Sequence, residues 1–184
     1  METVKRSRLV SVEKTKLPNV LLFKREVFED HRGTYEELWN EEVYQAEIER
    51  LIGFKMRFME DDIAISNKHV LRGLHGDDRT WKLVTCLKGR FYIVVACNDS
   101  NSSYYTDWQS FVLSDSNKHQ LLVPPMHGHG YVVMSDDAIF HYKQSHSYRG
   151  MVQQFTIKYD DERFGFWWPV QNPILSLRDT RGKV

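Results

Sequence analysis

The chemistry-bearing residue that stands out in this chain is His75. It closes residues 70–75, Val-Leu-Arg-Gly-Leu-His, and Lys82 follows seven residues later. A histidine titrates near neutrality, and cations beside it in one cavity suit an anionic ligand with a reacting carbonyl group. Arg72 and His75 share a pocket only if strand alternation is broken near Gly73. A hydrogen-bonded core histidine with two surface cations stays open as the alternative.

A second histidine cluster, His127 and His129, follows a Pro-Pro pair. H-x-H spacing on a strand places both imidazoles on one face, which some metal sites use. No second H-x-H pair accompanies His75, so a metal site is only weakly indicated and a loop histidine is the alternative for His127. Tyr142 and Asp179 do not stand out alone, because a strand tyrosine is usually a core residue and an aspartate near a chain end is usually solvated.

One helix is predicted to lie among the elements that position these side chains. Asn40 can cap it, the next two residues are glutamates that the helix dipole favours, and Gly53 can end it. Its inward stripe is predicted to be Val43, Ala46 and Leu51.

Strands are predicted over most of the remaining chain, because β-branched and aromatic runs alternate with turns rich in Asn, Asp and Ser. The predicted strands are 90–97, 108–113, 120–123, 131–134, 138–142 and 152–157. Many short strands at near-regular spacing are typical of an all-β sandwich or barrel. The segment from Trp167 to Asp179 is predicted to be irregular and to pack on the body.

Composition narrows the class of protein. The 184 residues suit one domain, 1–184, and 25 basic residues balance 25 acidic ones, so neither nucleic acid nor an anionic membrane is an expected partner. No apolar run approaches the roughly 20 residues that span a bilayer, and residues 1–16 lack the apolar core of a signal peptide, so the cytoplasm is the expected location. Cys86 and Cys97 are expected to be buried free thiols. No G-x-G-x-x-G or P-loop motif is present, which predicts chemistry by side chains alone.

Taken in order, six tracts resemble the dTDP-4-dehydrorhamnose 3,5-epimerase family over about residues 27–179. The tracts are 28–33 (FEDHRG), 70–75 (VLRGLH), 82–84 with Gly89 (KLV…G), 123–124 with 129–131 (VP…HGY), 142–143 (YK) and 168–169 with 175–179 (WP…LSLRD). The resemblance implies an all-β, cupin-type jelly-roll β-barrel with a few short helices, active as a homodimer without metal or cofactor.

The resemblance also implies residue roles. His75 would be the general base, with Asp179 holding its imidazole, and Tyr142 would be the general acid on the opposite face of the sugar ring. Lys82 would stabilise the enolate that forms when a proton leaves C3 or C5 beside the C4 ketone. The side chains implied in substrate binding are Arg32, Glu37, Arg72, His129 and Arg178.

Departures from the family pattern point to an altered pocket. Glu60 and Asp62 lie where the family has Q-x-N. Gln153 or Gln154 stands where the family has a substrate-binding acid beyond the tyrosine, and Gln154 is the candidate for the site. Residues 75–86 are similar to a branch that epimerises GDP-6-deoxy-4-keto-heptoses for bacterial capsules. The prediction is therefore a nucleotide-sugar epimerase that inverts C3 and/or C5 of a GDP-heptose or a dTDP-hexose. Tyr142 favours inversion at both carbons.

Two other functional classes remain open at this point. One is a metal-dependent cupin oxygenase or isomerase that uses His127, His129 and His75. The other is a cupin that binds a sugar without catalysis, in which His75 would be dispensable for ligand binding.

Overall fold

The computed structural model describes residues 8–149 and 153–182. Strands make up most of the regular secondary structure in these residues, as predicted. The elements are β1 Arg8–Lys14, β2 Leu21–Glu26, β3 Phe28–Asp30, β4 Gly33–Tyr35, α1 Glu41–Ile52, β5 Glu60–Asn67, β6 Leu71–Gly76, β7 Lys82–Lys88, β8 Arg90–Cys97, β9 Trp108–Ser114, β10 Gln120–Val123, β11 His127–Val133, β12 Asp137–Gln144, β13 Phe155–Thr156 and α2 Leu177–Arg181.

Two antiparallel sheets form the body of the protein. One has six strands in the order β1-β2-β10-β7-β12-β5, and the other has five in the order β13-β6-β11-β8-β9; β3 and β4 form a separate hairpin. From β5 to β13 successive strands alternate between the two sheets, except that β8 and β9 are neighbours in the same sheet. This is the jelly-roll arrangement predicted from the resemblance. Across residues 8–149 and 153–182 no strand pairing joins the two sheets, so they face each other without closing a continuous barrel.

Strand β8 explains why the core has two layers. Its side chains alternate between faces, so that Phe91, Ile93 and Val95 enter the core between the sheets while Tyr92 and Val94 face outward. The outward face is covered by the chain after β13, which brings several aromatic side chains onto it: Tyr159, Phe164, Phe166 and Trp168. Each large side chain buried in this way contributes roughly 1.5–3 kcal/mol. The predicted packing of the C-terminal segment on the body is confirmed, although the segment also contains α2.

Helix α1 has the predicted ends but a different buried face. The Asn40 side chain caps it, and Gly53 ends it with φ +97°. Two of the three predicted inward positions were wrong, because Val43 and Ala46 are exposed, whereas Leu51 packs against the core as predicted. The buried positions of the helix are Tyr44, Gln45 and Ile48. Tyrosine and glutamine bury here because each finds a hydrogen-bond partner: the Tyr44 hydroxyl donates to Gln120 at 2.7 Å, and Gln45 bonds the backbone of Met56.

The strands match the predicted ranges closely from 90 to 123 and differ afterwards. β11 begins at His127 instead of residue 131, and β12 runs from Asp137 to Gln144. Within the predicted strand 152–157 only Phe155–Thr156 is a strand, and Val152 lies outside the described residues. Cys86 and Cys97 are buried free thiols, as expected. None of the helices in the described ranges is long and apolar enough to cross a bilayer.

Candidate active site

The side chains of strand β6 stop alternating between faces at Gly73, as is required if Arg72 and His75 are to share a pocket. Its ladder with β11 pairs Arg72 with Tyr131 and His75 with His129, so the register slips between the two pairs. Gly73 has φ +122°, and a Cβ there would lie 2.4 Å from a backbone Cα of β11. Only glycine fits this conformation and this close approach. As a consequence, both Arg72 and His75 line one cavity.

This cavity has a volume of about 370 Å³ and lies between the two sheets. One wall comes from β6 and β11, and the other from β5, β7 and β12, while α2 and the segment leading into β13 complete it. The lining side chains are Ala64, Arg72, His75, Lys82, His129, Tyr131, Phe140, Tyr142, Gln154, Ser176, Arg178 and Asp179. Eight of the twelve residues predicted for the site are among them.

His75 is held by the buried carboxylate of Asp179. Nε2 of His75 lies 2.7 Å from Oδ1 of Asp179, and Oδ2 accepts a hydrogen bond from the Ser176 hydroxyl at 2.7 Å. Burial opposes the charge of Asp179, but the hydrogen bonds from His75 and Ser176 outweigh it and hold the pKa of this carboxyl below its usual range. The carboxylate can therefore fix the imidazole tautomer and stabilise a positive charge on it.

Lys82 is a buried cation that points into the cavity. It is only 4% exposed, and burial, opposed by attraction to Asp77, lowers the pKa of its ammonium to about 8. Nζ lies 5.7 Å from the ring centroid of Tyr142 and 5.3 Å from that of Tyr148. Within the described ranges its ammonium makes no hydrogen bond, so its donors are available to a ligand oxygen.

Tyr142 lies on β12, in the sheet opposite the one that carries His75. Burial and the neighbouring carboxylate of Asp62, its cross-strand partner on β5, raise the pKa of the Tyr142 hydroxyl to about 12. The hydroxyl therefore stays protonated at neutral pH and can donate a proton into the cavity.

Cations dominate the charge of the cavity lining. Arg72 is oriented by a hydrogen bond from Nε to the Ser66 hydroxyl at 3.0 Å. Arg178 donates from Nε to Thr156 at 3.0 Å and from a terminal nitrogen to Gln154 at 3.1 Å. Together with Lys82 these arginines suit an anionic group such as a diphosphate.

The two histidines of the H-x-H pair have different environments. His129 lines the cavity, and burial together with nearby Lys82 holds its pKa well below the usual value, so it is neutral. His127 does not line the cavity, and its Nδ1 contacts the backbone oxygen of Pro125 at 3.0 Å. Among residues 8–149 and 153–182, no group of three or more His, Cys, Asp or Glu side chains is arranged to hold a metal ion.

Four predicted substrate-binding residues do not line the cavity of this chain. Arg32 is exposed in the β3–β4 hairpin and pairs with Asp30 at 2.6 Å, and Glu37 bonds Asn40 at the start of α1. Glu60 and Asp62 lie on the inner face of β5 and share the amide of Gln144, at 2.7 and 2.9 Å. These local partners hold the four side chains away from the lining of this chain's cavity, and their role in substrate binding stays a prediction.

Four lining residues were not predicted from the sequence: Ala64, Tyr131, Phe140 and Ser176. Two-residue periodicity carried a signal for two of them, because Tyr131 follows His129 and Phe140 precedes Tyr142 on the same strand faces. Ser176 also belonged to a quoted tract, and its position three residues before Asp179 is that of a helix N-cap. Ala64 carried no signal of its own.

Known proteins share this sequence and fold over almost the whole chain. A family model described as dTDP-4-dehydrorhamnose 3,5-epimerase matches residues 14–184. The dTDP-4-dehydrorhamnose 3,5-epimerase of Shigella flexneri is 38% identical over 177 residues, 95% of each protein. The crystal structure of the enzyme of that name from Elizabethkingia anophelis NUHP1 is similar with a TM-score of 0.82 and 33% identity, covering 97% of this chain and 96% of that chain.

A third similar protein was solved with a ligand. The dTDP-6-deoxy-D-glucose-3,5-epimerase from Legionella pneumophila Philadelphia 1, in complex with dTDP-4-keto-L-rhamnose, has a TM-score of 0.84 and 29% identity. The similarity covers 97% of this chain and 93% of that chain.

Proposed function

Since this chain belongs to the dTDP-4-dehydrorhamnose 3,5-epimerase family, an isomerase family, we propose that its cavity inverts C3 and C5 of a nucleotide-linked 4-keto-6-deoxy sugar. The single observation that supports this most directly is the placement of His75 and Tyr142 on opposite sheets that face one cavity. A sugar ring between the sheets would have a proton acceptor on one face and a proton donor on the other, which is what inversion at carbon requires.

The first step is proton abstraction by His75. The hydrogen on a carbon beside the C4 ketone leaves as a proton to the neutral imidazole, and its electron pair moves to the ketone oxygen as an enolate. Asp179 stabilises the imidazolium that results, because its carboxylate is 2.7 Å away. The ammonium of Lys82 stabilises the enolate oxygen, and its burial strengthens that interaction.

The second step is reprotonation from the opposite face. Tyr142 gives its hydroxyl proton to the carbon as the enolate collapses back to the ketone, which leaves the carbon inverted. Solvent then reprotonates the tyrosinate, and the imidazolium releases the proton that it took. The step is balanced without an oxidant or a reductant, since one proton leaves and one enters at the same carbon.

The nucleotide part of the substrate is recognised as an anion in this proposal. Arg72 and Arg178 line the cavity and are oriented by neighbouring hydroxyl and amide groups, as diphosphate binding requires. The similar proteins named above carry dTDP in their names, which supports a dTDP-linked substrate. The GDP-linked heptose stays a prediction that rests on the resemblance of residues 75–86, together with 154–156 and 173–176, to another branch of the family.

A substrate panel tests the proposal. The purified protein is incubated with dTDP-4-keto-6-deoxyglucose and with its GDP-linked and heptose counterparts, and NMR coupling constants report the configuration at C3 and C5. We expect inversion of at least one of these sugars at both carbons. Absence of inversion with every 4-keto sugar would overturn the proposed function, and inversion at C3 alone would overturn only the second centre.

We also propose that the protein forms a homodimer and that it acts in the cytoplasm. β5 is an edge strand of the six-stranded sheet, and Ile63 and Ile65 on its outer side are 61% and 64% exposed. An exposed apolar edge strand favours association with a second copy of the chain, which would bury it. The buried free thiols Cys86 and Cys97 suit a reducing compartment.

A further inference from the structure

We infer that Asp77 and Tyr148 are positioning residues for Lys82, which together fix its ammonium at the cavity. This inference rests on the proposed function, because the position of Lys82 matters for the reaction only if an enolate forms beside it. Neither residue lines the cavity itself. Both act from behind Lys82: Asp77 lies between β6 and β7, and Tyr148 follows β12.

Asp77 is a rigid anchor. Its side chain is buried, with the residue 2% exposed. Oδ1 accepts hydrogen bonds from the backbone N–H groups of Arg79 at 3.0 Å and Thr80 at 2.6 Å. Burial opposes its charge, but these hydrogen bonds hold the pKa of Asp77 below its usual value, so the group is a carboxylate at neutral pH.

Tyr148 connects this anchor to the cation. Its hydroxyl donates to the free oxygen of the Asp77 carboxylate, Oδ2, at 2.9 Å, which leaves the ring with a defined orientation. Nζ of Lys82 lies 5.3 Å from the centroid of the Tyr148 ring, which is closer than its distance of 5.7 Å from the centroid of the Tyr142 ring. Both distances are within the range in which an aromatic face attracts a cation.

Lys82 needs such support more than most lysines. It has four rotatable side-chain bonds, and in the part of the chain that the structure describes no carboxylate forms a salt bridge with its ammonium. A freely rotating ammonium would spend only part of its time beside the enolate oxygen, and stabilisation would fall accordingly. Two aromatic faces and the field of Asp77 restrict it while leaving its three donors for the ligand.

The charged and titratable groups that face Lys82 come from several elements. They are Asp77 before β7, Asp62 on β5, Arg178 on α2, His129 on β11, Tyr142 on β12 and Tyr148 after it. Burial disfavours the ammonium most strongly, Asp77 and Asp62 favour it, and Arg178 opposes it. Removing the charge of Asp77 therefore makes Lys82 lose its proton at lower pH.

The experiment compares kcat and KM, from pH 6 to 9.5, for four variants of the full chain: Asp77→Asn, Tyr148→Leu, Tyr148→Phe and Lys82→Met. Asp78→Asn is the matched control, since Asp78 is the next residue and is exposed. Among the described residues its carboxylate has only the Arg79 side chain as a hydrogen-bonding partner, at 3.2 Å. Circular dichroism and melting temperature identify any variant that fails to fold.

The inference predicts different results for each variant. Tyr148→Leu lowers kcat about 10-fold with KM nearly unchanged, while Tyr148→Phe keeps the ring and loses only about 3-fold. Asp77→Asn moves the high-pH fall in kcat down by about 0.5–1 pH unit, and Asp78→Asn does not move it.

Two outcomes would overturn the inference, and one would instead overturn the proposed role of Lys82. The inference fails if Tyr148→Leu folds and keeps the wild-type kcat, or if Asp77→Asn keeps the wild-type pH profile. In either case the proposed role of Lys82 itself is unaffected. If Lys82→Met itself turns over like wild type, the proposed enolate role fails. Should Asp77→Asn not fold, the comparison of the two Tyr148 variants still decides.

Discussion

Nε2 of His75 lies 2.7 Å from Oδ1 of Asp179, although the two residues are 104 positions apart in the chain. One comes from β6 and the other from α2, which packs against β6 at the end of the sheet. The second carboxylate oxygen is held by Ser176, the residue that caps α2. The C-terminal helix therefore serves to place one carboxylate behind the histidine.

Replacing Asp179 by asparagine is expected to reduce kcat about 100-fold, because the amide keeps the shape of the carboxylate but loses the charge that stabilises an imidazolium. Steady-state turnover measures this effect. Asp136→Asn, which removes a surface carboxylate with a 98% exposed side chain, is the control and should be neutral. Equal rates for Asp179→Asn and wild type would contradict the dyad.

The same carboxylate predicts a pH dependence of stability. The pKa of Asp179 is lower in the folded protein than its ordinary value, so its contribution is present above the unfolded pKa of about 3.9 and is lost as pH falls through the folded value. The melting temperature of wild type should therefore fall more steeply below pH 4 than that of Asp179→Asn. Parallel curves would show that Asp179 carries no such contribution.

Replacing Lys82 by methionine is expected to lower kcat and to raise the free energy of unfolding. The folded pKa of Lys82 is about 8, whereas the unfolded value is about 10.4, so the unfolded chain holds more protons between these values and wild-type stability rises with pH across that window. At pH 7 the variant should gain roughly 1–3 kcal/mol in the free energy of unfolding, while kcat falls about 100-fold or more.

Urea denaturation at pH 7 and pH 9.5 checks the stability part of this prediction. The difference between Lys82→Met and wild type should be larger at pH 7 than at pH 9.5. A variant that is less stable at pH 7 would show that Lys82 stabilises the fold, against the expectation from its burial.

Gly73→Ala should be among the most destabilising single-methyl changes in the chain. The added Cβ would lie 2.4 Å from the Gly130 Cα and 2.7 Å from the His129 carbonyl oxygen, at a φ of +122°. We expect a loss of about 3 kcal/mol or more in the free energy of unfolding.

Gly53→Ala is the matched control, because Gly53 also has a positive φ, +97°, but its Cβ would meet nothing within 4 Å. It should cost only about 1 kcal/mol, from backbone strain alone. Equal losses in the two variants would mean that the close approach of β6 to β11 at Gly73 does not matter.

The proposed homodimer predicts that charges on the β5 edge disrupt association. In Ile63→Lys/Ile65→Lys two side chains that are 61% and 64% exposed in the single chain become cationic, and like charges would then face each other across a two-fold interface. Sedimentation velocity should show a dimer for wild type and a monomer for the variant. Val112→Lys, on the edge strand of the other sheet and 45% exposed, should stay dimeric; a wild type that sediments as a monomer would contradict the proposal.

The bounds of strands and helices that depend on local sequence pattern were predicted correctly. Alternation and turn residues located β8 and β10 at their observed bounds, and Asn40 and Gly53 located both ends of α1. The glycine-containing stretch at the start of β11 was not predicted as a strand, because its glycines are selected by close contact with β6, which only the folded chain brings about.

The site residues show the same difference between features that a sequence motif predicts and features that only the folded chain brings together. Motif resemblance placed His75, Lys82, Tyr142 and Asp179 together, and they line one cavity. The contribution of Asp77 and Tyr148 was not predictable, since their contact joins two loops that are 71 positions apart and neither residue belongs to one of the six tracts that carry the family resemblance.

The central claim is that His75 and Tyr142 act from opposite faces of the sugar ring. The most direct test is proton NMR in deuterated water, which follows exchange at C3 and C5 together with inversion for wild type, His75→Asn and Tyr142→Phe. We predict both processes in wild type, neither in His75→Asn, and exchange without inversion in Tyr142→Phe, because His75 can return a deuteron only to the face from which it took the proton. Inversion by Tyr142→Phe at the wild-type rate, or exchange by His75→Asn at that rate, would contradict this assignment.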